Sequence, residues 1–280
     1  MKTLSEAIEQ KYPKYVKLAE DYSAANNLKY TADWRDITKL GLNNFVDYLQ
    51  ENNAASSAKT YAAMFKAVLN AYCEEEEVDL PKDFMKILSL KGCISQNTWL
   101  SDYDIEKLIA YEPIGKIEQL VRNQFVIGCV SGCRYSDIIK LTKANFVGER
   151  LVYVSQKTKI KAEIPLSGII VKFIDDLEFV KEGVCPNTAN TTIREICRKC
   201  EINEQIKLFR HGEDQQGEKW EFISFHSARR SFATNMYLRG VDLFSISKLM
   251  GHSDITTTTK YIVCPPKLTD KAMEYFKQFD

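Results

Sequence analysis

The sequence predicts a mainly α-helical protein with one small β-sheet, divided into two domains. Three observations carry that expectation. Helix-period apolar patterns recur along most of the 280 residues. Two short alternating segments flank a lysine-rich turn, the pattern of a single hairpin. A stretch near residue 95 lacks apolar periodicity, and the chain exceeds the commonest single-domain size.

The first part is helical without convincing strands. Residues 4–26 set Leu4, Ile8, Tyr12, Tyr15, Val16, Leu18 and Ala19 near helical spacing. Ile37-Thr38-Lys39 leads into a helix with Phe45, Tyr48 and Leu49 on one face. A further helix over 57–73 repeats Tyr61, Met64, Phe65, Val68, Leu69 and Tyr72. The acidic run Glu74–Glu77 reads as a solvated surface, and Pro81 opens a short helix. The segment KGCISQNT (91–98) contains a glycine and no apolar period, so the domains are set at 1–92 and 99–280 with 93–98 as linker.

The second part is mainly helical around the small sheet. Ser101 and Asp104 form an S-x-x-D capping pattern. Residues 116–131 make a strongly apolar helix that Gly132 ends, and another begins at Tyr135 and runs to Leu141. LVYVS (151–155) and AEIPL (162–166) read as two strands around QKTKIK. Helices follow at about 168–180 and 188–200, and RHGEDQQGEKW reads as a polar loop with His211 on the surface.

Composition narrows the function. With 38 basic and 38 acidic residues the net charge is zero, which argues against coating DNA by charge alone but allows charge focused in a cleft. No run of about 18 apolar residues suggests a membrane span, and the charged start MKTLSEAIEQ lacks a signal-peptide core. The expected setting is the cytoplasm. The eight cysteines are scattered through apolar patterns. Cys197 and Cys200 form a C-x-x-C, but no second pair completes a zinc site, so packing is expected. Neither a Walker nor a G-x-G-x-x-G pattern occurs, and neither a cofactor nor a metal is expected.

The chemistry concentrates in ISFHSARRSFATNMYLRGVDLFSISKLMGHSDITTTTKYIVCPP. His226 and Arg229 lie three apart at the start of a helix, on one face, where unpaired backbone N–H groups favour a phosphate. Gly240 closes that helix; a second, about 242–250, ends at Gly251 and leaves His252 just beyond it. Ser253 caps a third short helix, and Tyr261 follows His252 by nine residues. Upstream, SGCRYSDIIKL places Arg134 at another helix start, with Asp137 positioned to pair with its guanidinium. Each feature alone has an ordinary structural explanation: a surface ion pair, a helix cap, a core aromatic, a solvated hairpin tip. Their order and spacing together do not.

Taken together, these residues resemble the tyrosine recombinases, or phage integrases, over about 100–265. That family's pattern is an arginine in G-x-R, a hairpin lysine, H-x-x-R, G-H and a tyrosine. Arg134, Lys157, His226 with Arg229, His252 and Tyr261 match it in order. Lys157 stands eight residues before Pro165, as the family's turn would place it, with Lys159 and Lys161 as rivals. Arg230 stands where many members have a histidine. The resemblance implies a helical N-terminal DNA-clamping domain and an α-rich catalytic domain. It implies cleavage and rejoining of double-stranded DNA at specific sites through a 3′-phosphotyrosyl link. It also implies a tetramer on DNA and accessory bending proteins in some systems. A non-catalytic DNA-binding relative and a type IB topoisomerase-like enzyme are the alternatives.

Phosphodiester transfer to a protein hydroxyl explains why such groups are needed. A tyrosine hydroxyl titrates near pH 10 and needs a polarising site. Two arginines can clamp the non-bridging oxygens and offset the charge that develops, and losing one such donor costs about 100- to 1000-fold in rate. By the resemblance, His252 adds a hydrogen bond to those oxygens, the hairpin lysine protonates the leaving 5′ oxygen, and His226 moves the tyrosine proton. Beyond Tyr261, Leu268, Ala272, Phe276 and Phe279 set out a tail helix, which the family parallel docks into a neighbouring subunit.

Overall fold

A computed structural model describes residues 2–75, 78–92, 95–166, 168, 170, 173, 184–210 and 212–263. The chain divides into two compact units, Met1–Ser95 with Phe209–Asp214, and Gln96–Leu208 with Gln215–Asp280.

The first unit packs helices α1 (Leu4–Lys11), α2 (Leu18–Ala25), α3 (Lys39–Asn52), α4 (Ala55–Tyr72) and α5 (Phe84–Ile87). The single helical pattern over 4–26 is broken in two because Pro13 cannot donate a backbone hydrogen bond. Thr3 and Glu6 close a capping box on α1, and Thr38 caps α3. The core gathers Leu4, Ile8, Tyr22, Phe45, Leu49, Phe65 and Leu69. Phe45 and Phe65 lie 4.8 Å apart between ring centroids, and Tyr22 stacks on Phe65 at 5.4 Å. Each such ring buries a large apolar area and prefers tilted or offset contacts of this kind.

The second unit is built around α7 (Lys116–Ser131), buried almost throughout from Leu120 to Ser131. Around it stand α6 (Asp102–Ala110), α8 (Tyr135–Ile138), α9 (Pro186–Lys199) and α10 (Phe225–Leu238), with α11 (Leu243–Leu249) and α12 (Ile255–Thr259) completing the chain's described end. The expected Ser101–Asp104 capping box opens α6. Cys197 is fully buried in this core, as expected for packing. β1 (Phe146–Val147), β2 (Arg150–Val154) and β3 (Lys161–Pro165) form an antiparallel sheet in that order. Leu151 pairs with Ile164 and Tyr153 with Ala162, so one face alternates into the core.

Several expectations need correction. A second sheet exists: β4 (Gln205–Arg210) and β5 (Glu213–Glu218) pair where a polar loop was expected. EDQQGE carries no apolar alternation because its strand is largely exposed, and only Leu208 of β4 is buried. Asp254, rather than Ser253, caps α12 by accepting from the Thr256 N–H at 3.0 Å. Most of the helix expected over 168–180, His211 and the tail helix beyond Val263 lie outside the described residues.

Candidate active site

α7 ends at Gly132, whose φ of 67° is left-handed. A Cβ there would sit 2.5 Å from the Phe232 ring of α10, so glycine is required twice over. The chain then turns into α8 with Arg134 at its N-cap. Arg134 Nη1 donates to Ser155 Oγ at 2.8 Å, and Ser155 is fully buried. Asp137 does not hold Arg134. The single turn of α8 directs Asp137 inward, where its Oδ1 accepts the Gln156 backbone N–H at 3.0 Å.

That contact staples the hairpin turn to α8. Gln156 Nε2 adds a bond to the Ser136 carbonyl at 3.3 Å, and the Thr158 hydroxyl donates to the Gly251 carbonyl at 3.2 Å. The turn is therefore held from the arginine side and from the G-H side. The structure also separates the three lysines. Lys157 lines the cleft described below, Lys159 closes the turn with a φ of 58°, and Lys161 pairs with Glu163 at 2.6 Å.

α10 begins in a capping box between Ser224 and Ser227. It approaches α7 closely: a Cβ on Gly128 would lie 3.1 Å from that of Ala228. This approach carries Arg229 beneath the end of α7. Its Nη1 donates to the Gly132 carbonyl and its Nη2 to the Met250 carbonyl at 2.7 Å. Arg229 is only 1% exposed, and among the described residues its Nε–H has no hydrogen-bond partner.

His252 follows Gly251, which turns the chain with a φ of 62°. The imidazole is 3% exposed and is engaged at both nitrogens, Nε2 at 2.6 Å from Arg229 Nη2 and Nδ1 at 2.9 Å from Thr258 Oγ1. The Tyr261 ring stacks on it at 5.3 Å and lies 5.2 Å from the Arg229 guanidinium carbon. Arg230, at 6.0 Å, flanks the same ring.

The result is a cleft of about 270 Å³ lined by Arg134, Tyr135, Ser136, Lys157, Phe225, His226, Arg229 and Tyr261. Its field is positive. Burial, then the charges of Arg230, Arg229, Lys157 and Arg134, hold His226 below the ordinary histidine range. Burial and the two arginines Arg229 and Arg134 push His252 down to about 4. Burial and Arg134 lower Arg229 from its usual value. Such a cleft presents a nucleophile-bearing hydroxyl among cations and calls for an anion. Among the described residues no group of three or more His, Cys, Asp or Glu side chains is placed to hold a metal ion.

Sequence reasoning thus set six residues in one region, and five of them line the cleft, while His252 lies under the Tyr261 ring. It missed Ser155, Thr158 and Thr258, which orient the others. Only the hydroxyl side chains themselves could have signalled them, and hydroxyls are common in turns and short helices.

Residues 98–264 match the model of the phage integrase family, more than half of the chain. The chain belongs to the phage integrase family. It is 25% identical over 234 residues to tyrosine recombinase XerD of Vibrio cholerae serotype O1, covering 80% of this chain and 76% of that one. XerD of Vibrio vulnificus is 23% identical over 266 residues, covering 87% and 85%. Among solved structures, a lambda integrase dimer bound to a COC′ core site is similar at a TM-score of 0.66 and 16% identity, covering 93% of this chain and 95% of that one. XerH recombinase bound to a palindromic difH substrate is similar at 0.67 and 14%, covering 94% and 77%. The two structures establish the likeness of fold. As a member of the phage integrase family, the chain is an enzyme of DNA strand cleavage and rejoining.

Proposed function

We propose that this integrase-family enzyme is a site-specific recombinase whose nucleophile is Tyr261. One observation carries the reading: Tyr261 shares a single positive cleft with Arg134, Lys157, His226 and Arg229. A scissile phosphate in that cleft meets two guanidinium groups, Arg134 anchored on Ser155 and Arg229 anchored on two backbone carbonyls. Both guanidinium groups are fixed before the phosphate arrives, so they stabilise developing charge without reorganisation. His226, whose protonation burial and then the surrounding cations disfavour, is the acceptor for the Tyr261 proton. Lys157, on the stapled turn, protonates the departing 5′ oxygen. Attack of Tyr261 breaks the phosphorus–5′ oxygen bond and forms a 3′-phosphotyrosyl ester; a 5′ hydroxyl from a second duplex reverses the step and releases the tyrosine.

The helical segment 1–92 is a DNA-clamping domain and 99–280 the catalytic domain, with 93–98 as linker. The working form is a tetramer on two duplexes, in keeping with a lambda integrase tetramer bound to a Holliday junction among the solved structures of similar fold. The protein acts in the cytoplasm on nucleoid or mobile-element DNA, with accessory bending proteins in some settings.

The test is to express the chain and its Tyr261→Phe variant, denature rapidly, and recover covalent protein–DNA adducts. The expected outcome is an adduct on the Tyr261 peptide, absent in the variant and enriched at a few DNA sites. Strand exchange between two duplexes bearing those sites marks a recombinase; relaxation of supercoils without exchange marks a topoisomerase-like enzyme. Absence of any adduct, even with nicked substrates that stall religation, overturns the mechanism.

A further inference from the structure

In family resemblance His252 is a donor to the scissile phosphate, yet here both of its ring nitrogens are already taken. Nε2 faces Arg229 Nη2 at 2.6 Å, and Nδ1 faces Thr258 Oγ1 at 2.9 Å. A guanidinium nitrogen of this kind has only N–H to offer. Nε2 must therefore accept, the ring proton must sit on Nδ1, and the Thr258 hydroxyl must accept it. Thr258 is fully buried, so this hydroxyl is shielded from water. The opposite tautomer would set an Nε2–H against an Arg229 N–H and leave Nδ1 aimed at a group with which it then has to exchange roles.

We infer that Thr258 is a positioning residue: its hydroxyl accepts the Nδ1–H that the Arg229 contact imposes on His252 and so holds the imidazole in its orientation, and His252 in turn holds the Arg229 guanidinium in place for the phosphate. The chain of contact is continuous, from a hydroxyl on α12 through the imidazole to the arginine on α10. It explains why the histidine sits under the Tyr261 ring rather than in the cleft wall. It also explains how a short helix of four successive threonines contributes to the site: Thr258 holds the histidine while its carbonyl accepts the Tyr261 backbone N–H at 2.9 Å. The same residue thus orients the arginine and anchors the tyrosine's backbone. The inference rests on the reading above that Arg229 clamps the phosphate.

The experiment uses the full chain, its Thr258→Val variant, which is similar in shape but has no hydroxyl, and Thr258→Ser, which keeps it. The chain has three histidines, so selective ¹⁵N-histidine labelling with long-range ¹⁵N–¹H correlation reads each tautomer, assigned with His226→Gln and His211→Gln. In the parent protein His252 is expected as the Nδ1–H form at pH 7. Thr258→Val is expected to shift the His252 Nδ1–H proton and nitrogen resonances as their acceptor is lost, and Thr258→Ser to restore them. Single-turnover cleavage is then measured on nicked duplexes carrying the sites recovered from the adducts. Thr258→Val should cleave about 10-fold more slowly at saturating DNA with unchanged DNA affinity, because a displaced clamp weakens the transition state rather than binding; Thr258→Ser should come within about twofold of the parent. An Nε2–H form in the parent, unchanged His252 ring resonances in Thr258→Val, or shifted resonances with unchanged cleavage overturns the inference. Equal loss in Thr258→Ser and Thr258→Val marks a merely structural residue and overturns it too. Should the parent itself fail to cleave, the recombinase reading falls and the positioning role falls with it, while the tautomer measurement stands by itself.

Discussion

A guanidinium 1% exposed is costly unless its N–H groups are matched. Arg229 matches its Nη groups with the Gly132 and Met250 carbonyls and His252 Nε2, all neutral acceptors, while its Nε–H finds none among the described residues. Its positive charge is thus held rather than cancelled, which leaves it available to an anion. The consequence for His252 is a pH dependence of folding. Its pKa is about 4 in the fold, against about 6.5 when unfolded. Well above pH 6.5 it is neutral in both states and contributes no slope. As pH falls from 6.5 towards 4, only the unfolded chain takes up the proton, so stability is lost on acidification. At pH 5 the loss from this residue is on the order of 2 kcal/mol. His226, shifted in the same direction, adds to it. Urea unfolding at pH 7.5 and pH 5 should show a loss for the parent that is smaller in His252→Gln by about that amount. Equal losses in the two proteins would mean that His252 is not buried neutral.

At the scale of elements, the site depends on how closely α7 and α10 approach. Glycines at 128 and 132 remove the Cβ atoms that would collide with Ala228 and Phe232. Gly132 also adopts a φ of 67°, which a side chain disfavours. Gly132→Ala should therefore lower stability by about 2–4 kcal/mol, from the sum of backbone strain and overpacking. Thermal unfolding gives the magnitude, and a loss below about 0.5 kcal/mol would show that Phe232 swings aside at no cost. These helices were readable because apolar spacing and caps are local signals: Gly132 as a stop, Ser101 as a cap. The β4–β5 hairpin was not readable, since a strand held by backbone pairing and exposed on both faces shows no alternation. Nor was the Asp137–Gln156 contact, because spacing on a helix says nothing of the hairpin that packs against it.

For the whole molecule, a net charge of zero contrasts with a cleft in which His226 feels four positive neighbours, Arg230, Arg229, Lys157 and Arg134. Binding to DNA then depends on where charge is placed rather than on its sum, and affinity should fall steeply with salt at a slope set by the phosphates contacted. Assembly is a separate property. Deleting residues 267–280, read from sequence as a helix that docks into a neighbouring subunit, should abolish strand exchange while leaving DNA binding within about twofold. Mobility-shift titration and an exchange assay on the same duplexes separate the two. Strand exchange by the truncated chain would assign the tail to packing on its own domain.

The sequence by itself determined the helical class and the β2–β3 hairpin and picked out the six residues proposed for the reaction, because each is carried by a spacing or by a rare side chain at a turn. It did not determine how those residues are held. That Ser155 rather than Asp137 anchors Arg134, that Lys157 rather than Lys159 or Lys161 lines the cleft, and that His252 supports Arg229 were decided only in three dimensions. The reason is physical: a hydrogen bond depends on distance and direction between atoms, and residues from 21 to 97 positions apart in the chain meet in this site. No local pattern records such meetings; they arise when glycines let two helices touch and a turn is stapled between them.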